Sequence, residues 1–373
     1  MVVDPDRARG VGGPDQVRLL MVGNFFASDL GVYQYCSALA LKFEGGGYQV
    51  VRTSLKPRRV PRLFDMLRTV VARSREYDVA LIDVFSGSAF LWAEMAAWVA
   101  SRVRKPVVLA LHGGALPRFA ASHPGRVRRL LQSAARVTAP SAYLSRALAK
   151  YRPDIEVIPN AINLGRYPYR ARTDVRPAFV WLRALARDYR PEDAVEALSI
   201  IRQRYPEARL LLVGPDKGDG TRDAVRAQVA RVSLDDCVTI KGPIGKEDVP
   251  RVLNQGDIFL NTTSVDNTPV SVIEAMACGL CVISTNVGGL PQMLEDGRNA
   301  LLVPPGSPGA MARAAERILA DPQLAARLSA NARATAERYD WGMIFLKWER
   351  LLAGVLAERN RGAGARRTGA TAR

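Results

Sequence analysis

Twelve short runs rich in Val, Ile and Leu alternate with helical stretches along this chain, and that rhythm leaves few folds open to it. The runs read as strands at residues 17–22, 48–53, 79–83, 106–111, 136–139 and 155–158, then 178–182, 209–213, 238–241, 257–260, 281–284 and 301–303. Most are continuous Val/Ile/Leu runs without alternation, as a parallel sheet covered by helices on both faces requires. Two doubly wound α/β domains of similar size follow, meeting in the Arg-, Pro- and Tyr-rich stretch 160–177. The organisation expected is a disordered leader at 1–16, a first domain at 17–165, a second domain with C-terminal helices at 166–358, and a basic disordered tail at 359–373. Trp341 and Trp348, one heptad apart, mark one face of those last helices.

Charge separates the two halves. Residues 1–170 hold 25 Lys and Arg against 12 Asp and Glu, whereas 171–373 hold 28 against 24, so +13 of the net +17 belongs to the first half. That asymmetry fits an anionic membrane surface or another polyanion. Residues 52–75 concentrate it, with eight basic residues against Asp65 alone, and Leu63, Phe64, Leu67, Val70 and Val71 recur there at helical spacing. Ordered interleaving of aromatic and basic residues is lacking, so no nucleic acid is expected as a partner. No segment has the roughly 20 apolar residues of a membrane span, and residues 1–16 lack the apolar stretch of a secretion signal. A cytoplasmic protein, peripheral on the inner face of the membrane, is the expectation. Four cysteines are too few for a disulfide framework, and Cys278-Gly-Leu-Cys281 has no second pair, so it reads as a buried structural pair.

In an open parallel sheet, ligands bind beyond the carboxyl ends of the strands. The first such loop, Gly23-Asn24-Phe25-Phe26-Ala27-Ser28, lacks the glycine spacing that a dinucleotide pyrophosphate needs. Gly242-Pro-Ile-Gly245-Lys246-Glu247 is too short for a P-loop. There remains Asp266-Asn267-Thr268-Pro269-Val270-Ser271-Val272-Ile273-Glu274, directly after a strand. Thr268 as N-cap and Pro269 as first helical residue would leave backbone N–H groups free for a phosphate. Glu274, about one and a half turns on, is either a ligand for the two ribose hydroxyls of a nucleotide or a solvated helix glutamate.

Over this block the chain resembles glycosyltransferase family 4, the retaining enzymes with the GT-B fold. Lys241-Gly242, Asp257-Ile-Phe-Leu-Asn261, Pro269 to Gly279, and Val282-Ile-Ser-Thr-Asn-Val-Gly-Gly-Leu-Pro291 look like the family's donor-site block. Gly297 and Val303-Pro304-Pro305 continue it. The resemblance implies a GT-B architecture, two Rossmann-like parallel-sheet domains facing a central cleft. The first domain would bind the acceptor and the second the donor. The family's E-x7-E pair maps onto Asp266 and Glu274, with Asp in the first place. His112-Gly113-Gly114 looks like the His-Gly pair beside the reaction centre, and Val157-Ile158-Pro159-Asn160-Ala161-Ile162-Asn163 like the interdomain hinge.

The phosphate clamp, an Arg followed by a Lys, keeps its Arg as Arg183. Tyr189 stands where the Lys is usual, so Arg187 or Arg190 is expected to supply the charge. By the same resemblance Asn267, Thr268, Pro269, Val270 and Gly31 are expected at the donor phosphates, and His112, Asp266 and Arg183 at the reacting atoms. The implied reaction moves a sugar from a UDP-, GDP- or ADP-linked donor to a glycan or lipid-linked acceptor with retention, needing neither metal nor other cofactor. Cell-envelope polysaccharide or glycolipid synthesis is the implied setting. A non-hydrolysing sugar-nucleotide epimerase, or a catalytically degenerate GT-B binding protein, is the alternative.

Overall fold

The computed structural model describes residues 17–23, 25, 35–56 and 58–370, and each of the twelve apolar runs forms a strand in it. In the first half these are β1 (Arg18–Val22), β2 (Gln49–Thr53), β3 (Val79–Val84), β4 (Val107–Leu111), β5 (Arg136–Ala139) and β6 (Glu156–Val157). They make one sheet in the order β2-β1-β3-β4-β5-β6, every pair parallel. Around it lie α1 (Tyr35–Gly45), α2 (Arg59–Ala72), α3 (Ser88–Arg102), α4 (Leu116–Ser122), α5 (Pro124–Ser133) and α6 (Ala142–Leu148).

The second sheet contains β7 (Ala178–Leu182), β8 (Arg209–Val213), β9 (Val238–Lys241), β10 (Ile258–Asn261), β11 (Cys281–Thr285) and β12 (Leu301–Val303). Its order is β12-β11-β10-β7-β8-β9, again all parallel. Its helices are α7 (Pro191–Ile201), α8 (Thr221–Arg231), α9 (Val249–Leu253), α10 (Val270–Ala277), α11 (Leu290–Met293), α12 (Pro308–Ala320) and α13 (Pro322–Glu337). Each sheet has a hydrophobic core on both faces, which is why β4, β10 and β11 are buried along their whole length. This is the two-domain, doubly wound architecture of the GT-B fold. Strand order reverses between β1 and β3 in the first sheet and between β7 and β10 in the second, and those crevices are where ligands bind such sheets.

Two features depart from the sequence reading. The last helix, α14 (Trp341–Ala370), does not pack on the second domain but returns to the first. Trp341, Ile344, Trp348, Leu351, Leu352 and Val355 form a continuous apolar stripe, and together with α1 they cover Leu19, Met21 and Leu81 on one sheet face. The helix also runs through to Ala370, where a disordered tail from 359 was expected. Arg and Ala sustain a helix there despite the interspersed glycines, and Arg359 reaches Asp78 at 3.2 Å.

The linker between the sheets owes its arginines to packing. Arg170, Arg172 and Arg176 converge on Asp257, whose side chain is fully buried just before β10. Arg176 Nε donates to Asp257 Oδ2 at 2.9 Å, and Arg170 forms a second close pair.

A smaller local effect can be measured at α13. Asp321 caps it, its Oδ1 accepting from the N–H groups of Gln323 and Leu324 at 3.0 Å each. Asp321→Ala is expected to lower stability by about 1 kcal/mol in urea unfolding, the usual worth of an N-cap. An unchanged midpoint would show that the cap contributes nothing.

Candidate active site

The carboxyl ends of the two sheets face each other across a cavity of 420 Å³ lined from both domains. On the first-domain side His112 follows β4. Its Nε2 lies 3.0 Å from Asp83 Oδ1 at the end of β3, and the Phe85 ring stacks on the imidazole at 5.0 Å between centroids. Sequence reasoning missed Asp83, although a carboxylate closing the run Val-Ala-Leu-Ile is a visible signal. Gly113 takes φ +84°, and a Cβ on Gly114 would sit 3.1 Å from the backbone of Asp266. The Gly-Gly pair therefore lets the His112 loop approach the opposite domain closely.

On the second-domain side Arg183 follows β7 and Asp266 follows β10, so both stand at the strand-order reversal. Arg183 Nη2 lies 2.7 Å from Asp266 Oδ2. Burial by itself would lower the pKa of this guanidinium, but the Asp266 carboxylate and Tyr189 raise it above its ordinary value. Tyr189, in the place of the clamp lysine, lies under Arg183 at 4.3 Å and acts as its platform.

The arginines expected to replace that lysine do not reach the cavity. Arg190 forks onto Asp193 at 2.6 and 2.9 Å, because it caps α7 and Asp193 sits in the first turn. Arg187 is held by its backbone N–H to Asp219 at 3.0 Å. Among the described residues, the cations that line the cavity with Arg183 are Lys217 and Lys246, from the loops after β8 and β9. Lys246 closes onto Glu274 Oε1 as an ion pair. In the sequence its loop is notable only for being too short to form a P-loop.

Glu274 is 3% exposed, which removes the solvated-glutamate reading. Besides Lys246, its Oε1 accepts from the Tyr167 hydroxyl at 2.5 Å. Thr268 is not the N-cap of α10. The helix begins at Val270 with Pro269 as cap, because the Thr268 hydroxyl has a better acceptor, the Pro140 carbonyl of the first domain at 2.9 Å. The Thr268 carbonyl in turn accepts from Asn160 Nδ2 at 2.8 Å, so this residue joins the domains.

Asn267 Oδ1 meets the Ser141 hydroxyl across the same seam. The first-turn N–H groups of α10 have no intrahelical acceptor, and Val270 and Ser271 line the cavity. Asn267 Nδ2 and Ser271 Oγ are buried there with no hydrogen-bond partner among the described residues. Donors without acceptors, beside three cations, suit an anionic ligand rich in oxygen.

Gly31 lies outside the described residues. Cys278 and Cys281 are buried in the core, and burial pushes both thiols up to about 12, which leaves them unreactive. Among the described residues no helix is long and apolar enough to cross a membrane.

Known proteins resemble this chain in sequence and in fold. A segment of 153 residues is 32% identical to the D-inositol 3-phosphate glycosyltransferase of Streptomyces bingchenggensis, covering 40% of this chain and 33% of that protein. Another of 160 residues is 27% identical to the alpha-D-kanosaminyltransferase of Streptomyces kanamyceticus, covering 43% of this chain and 40% of that protein. The chain thus matches well under half the length of these curated relatives.

Among solved structures, Anabaena HepE in complex with UDP and glucose superposes with a TM-score of 0.72 at 19% identity, over 91% of this chain and 100% of that one. The sucrose-phosphate synthase of Thermosynechococcus elongatus gives 0.74 at 20% identity, over 92% and 100%. The family model described as Glycosyltransferase Family 4 matches residues 32–166, and that described as Glycosyl transferases group 1 matches residues 176–321. With one model on each domain, about three quarters of the sequence is accounted for, and the chain belongs to glycosyltransferase family 4.

Proposed function

We propose that this protein transfers a sugar from a nucleotide-sugar donor to an acceptor hydroxyl with retention of configuration. The observation that carries the reading is the buried Glu274 carboxylate, set beside unpartnered donors at the start of α10 and facing Arg183 and Lys246. A nucleoside diphosphate fits that set: ribose hydroxyls donate to Glu274, and the diphosphate takes the N–H groups of α10 and the cations. Binding exchanges Lys246 on Glu274 for the ribose, and the freed ammonium turns to the diphosphate.

Arg183 makes the corresponding move from Asp266 towards the leaving phosphate, supported by the Tyr189 ring. As the bond from the sugar's anomeric carbon to the phosphate oxygen breaks, these groups neutralise the charge that develops. The acceptor oxygen bonds to that carbon from the same face, and a phosphate oxygen takes its proton. His112, fixed by Asp83, faces the sugar from the first domain. The solved complex of HepE with UDP-glucose supports a donor of this class. Envelope polysaccharide or glycolipid is the acceptor class that a basic first domain favours.

Incubation with UDP-, GDP- and ADP-sugars, with and without glycan and lipid-linked acceptors, tests the reaction. A product with the donor's anomeric configuration is expected only when acceptor is present. Conversion of the sugar nucleotide alone would make it an epimerase, and nucleotide binding without turnover a degenerate binding protein. Arg183→Ala is expected to weaken binding of the cognate nucleoside diphosphate by about 1.5–3 kcal/mol, the range for charged hydrogen bonds. Lys246→Ala should cost about tenfold, one charge-assisted contact, while Arg190→Ala leaves affinity unchanged. The reverse pattern in calorimetry would return the clamp to α7.

A further inference from the structure

Half of the ten exposed large apolar side chains among the described residues lie on two neighbouring helices. They are Val60 (66% exposed), Phe64 (70%) and Val71 (51%) on α2, and Leu91 (46%) and Trp98 (59%) on α3. The two helices pack against each other, and both bury their inner faces in the same core, α2 through Met66 and Val70, α3 through Phe90, Ala93 and Ala97. Their outward residues therefore share one face of the first domain. The stripe anticipated at 63–71 is thus divided: Val70 faces the core, while Phe64 and Val71 face out.

Beside that face, α3 and α5 enclose an open groove of 830 Å³ whose walls include Leu91, Trp92, Met95, Trp98 and Leu130. Contiguous exposed apolar surface of this kind marks an interaction site. Its charge identifies the partner. Arg58, Arg59, Arg68, Arg102 and Arg129 have no carboxylate partner among the described residues. The nearby acids have cationic partners: Glu94 has Arg126, Glu76 has Arg73, and Asp65, which also accepts from the Ser54 hydroxyl, has Lys56. Arg62 is not part of the surface. It is 6% exposed, donates to the Lys56 carbonyl at 2.7 Å and lies over the Trp92 ring. Arg102 lies over Trp98 at 4.8 Å, so an apolar ring and a cation are presented together.

We propose that the outer face of α2 and α3 docks on an anionic phospholipid leaflet, with Phe64, Leu91 and Trp98 entering the acyl boundary and the α3–α5 groove receiving one lipid chain. Unmatched arginines meet headgroup phosphates, and Trp at the boundary of headgroup and chain is the usual anchor of a protein that lies on a membrane. Val60 and Leu91 would gain nothing from a nucleic acid, which has no apolar phase to receive them. The surface also adjoins the catalytic cleft, since Asp83 and Phe85 line the cleft while Gly87 and Ser88, next in the chain, line the groove. This inference rests on the glycosyl-transfer reading only for its purpose, and its test needs no nucleotide.

The full chain is mixed with vesicles of phosphatidylcholine alone or doped with phosphatidylglycerol, with and without brominated acyl chains. Of the five tryptophans, Trp181, Trp341 and Trp348 are buried, so quenching by brominated chains reports on Trp98 and, from within the groove, on Trp92. Expected are sedimentation with the anionic vesicles, its loss at high salt, and quenching that Trp98→Phe reduces, and Trp92→Phe with Trp98→Phe removes, without preventing sedimentation. Leu91→Ser with Trp98→Ser should weaken partitioning on the order of tenfold through lost apolar burial. Arg58→Glu, Arg59→Glu and Arg68→Glu together should abolish it, with the thermal melt unchanged. Sedimentation without Trp98-dependent quenching, equal binding to neutral vesicles, or no binding overturns the proposal. Self-association that Trp98→Ser removes would assign the face to a second copy of the chain and equally overturn it. Nucleotide affinity measured on the same variants keeps this outcome separate from any failure of the transfer reaction.

Discussion

Glu274→Gln is expected to fold normally and to lose roughly 30-fold to 1000-fold in donor affinity or kcat/KM, about 2–4 kcal/mol for a doubly hydrogen-bonded charge. The isosteric amide keeps the shape of the site but surrenders the charge that both ribose hydroxyls and Lys246 address. Folding is protected because the Tyr167 hydroxyl can still donate to the amide oxygen. Titration of the variant with uridine and with UDP, or with whichever nucleotide the wild type binds, checks this directly. Unchanged affinity for both would remove Glu274 from the site and with it the donor reading. A larger loss for the diphosphate than for the nucleoside would instead place Lys246, and not the ribose, at the centre of its role.

Asp257→Asn is expected to be the most damaging substitution for stability. It leaves Arg172, itself 1% exposed, without its counter-charge in the core, and breaking a buried pair on one side costs about 3–5 kcal/mol. The pH dependence follows from the same cluster. Burial would raise the Asp257 pKa, but hydrogen bonds from Arg176 and Arg170 outweigh it and hold the carboxyl below its ordinary value. A depressed carboxylate stabilises fully above its unfolded pKa of about 3.9, and that contribution is lost as pH falls through the lower folded value. Urea unfolding at neutral pH and in the acid range checks both statements. The wild type should lose stability on acidification, and the variant should start lower and lose less.

The strands were legible because most are local runs of apolar residues, and no distant contact is needed to recognise one. Glu274 was legible in part from its place in the helix that follows β10 at the sheet's carboxyl edge, whereas Arg183 and His112 were singled out by the resemblance to glycosyltransferase family 4. Their partners were not. Asp83, Tyr167 and Lys246 come from β3, the linker and the loop after β9, and only the parallel stacking of strands far apart in sequence sets them beside the site. Thr268 shows how a sound local rule loses to a tertiary competitor, since its capping hydroxyl is taken by Pro140 in the other domain. The arginines tell the same story twice. Residues 170–176 read as linker composition but grip Asp257, and Arg62, one of the eight basic residues at 52–75 read as facing an anionic surface, lies inside.

The chain crosses between the lobes twice, outward near Ile162 and back near Trp341, and the two crossings are stitched together. Ile162 accepts from the Trp341 N–H at 3.0 Å and donates to the Tyr339 carbonyl at 2.9 Å. Two tied crossings act as a door hinge with two pins: they favour rotation about their common axis and resist twist or separation. No single cut of the polypeptide divides this protein into its two lobes. A fragment ending in the first linker would lack the helix that roofs its own sheet, and the remainder would carry that helix with its tryptophans bare. Recombined, the two pieces should find each other through that helix, so that a split chain reassembles as one molecule with the cleft restored between its halves.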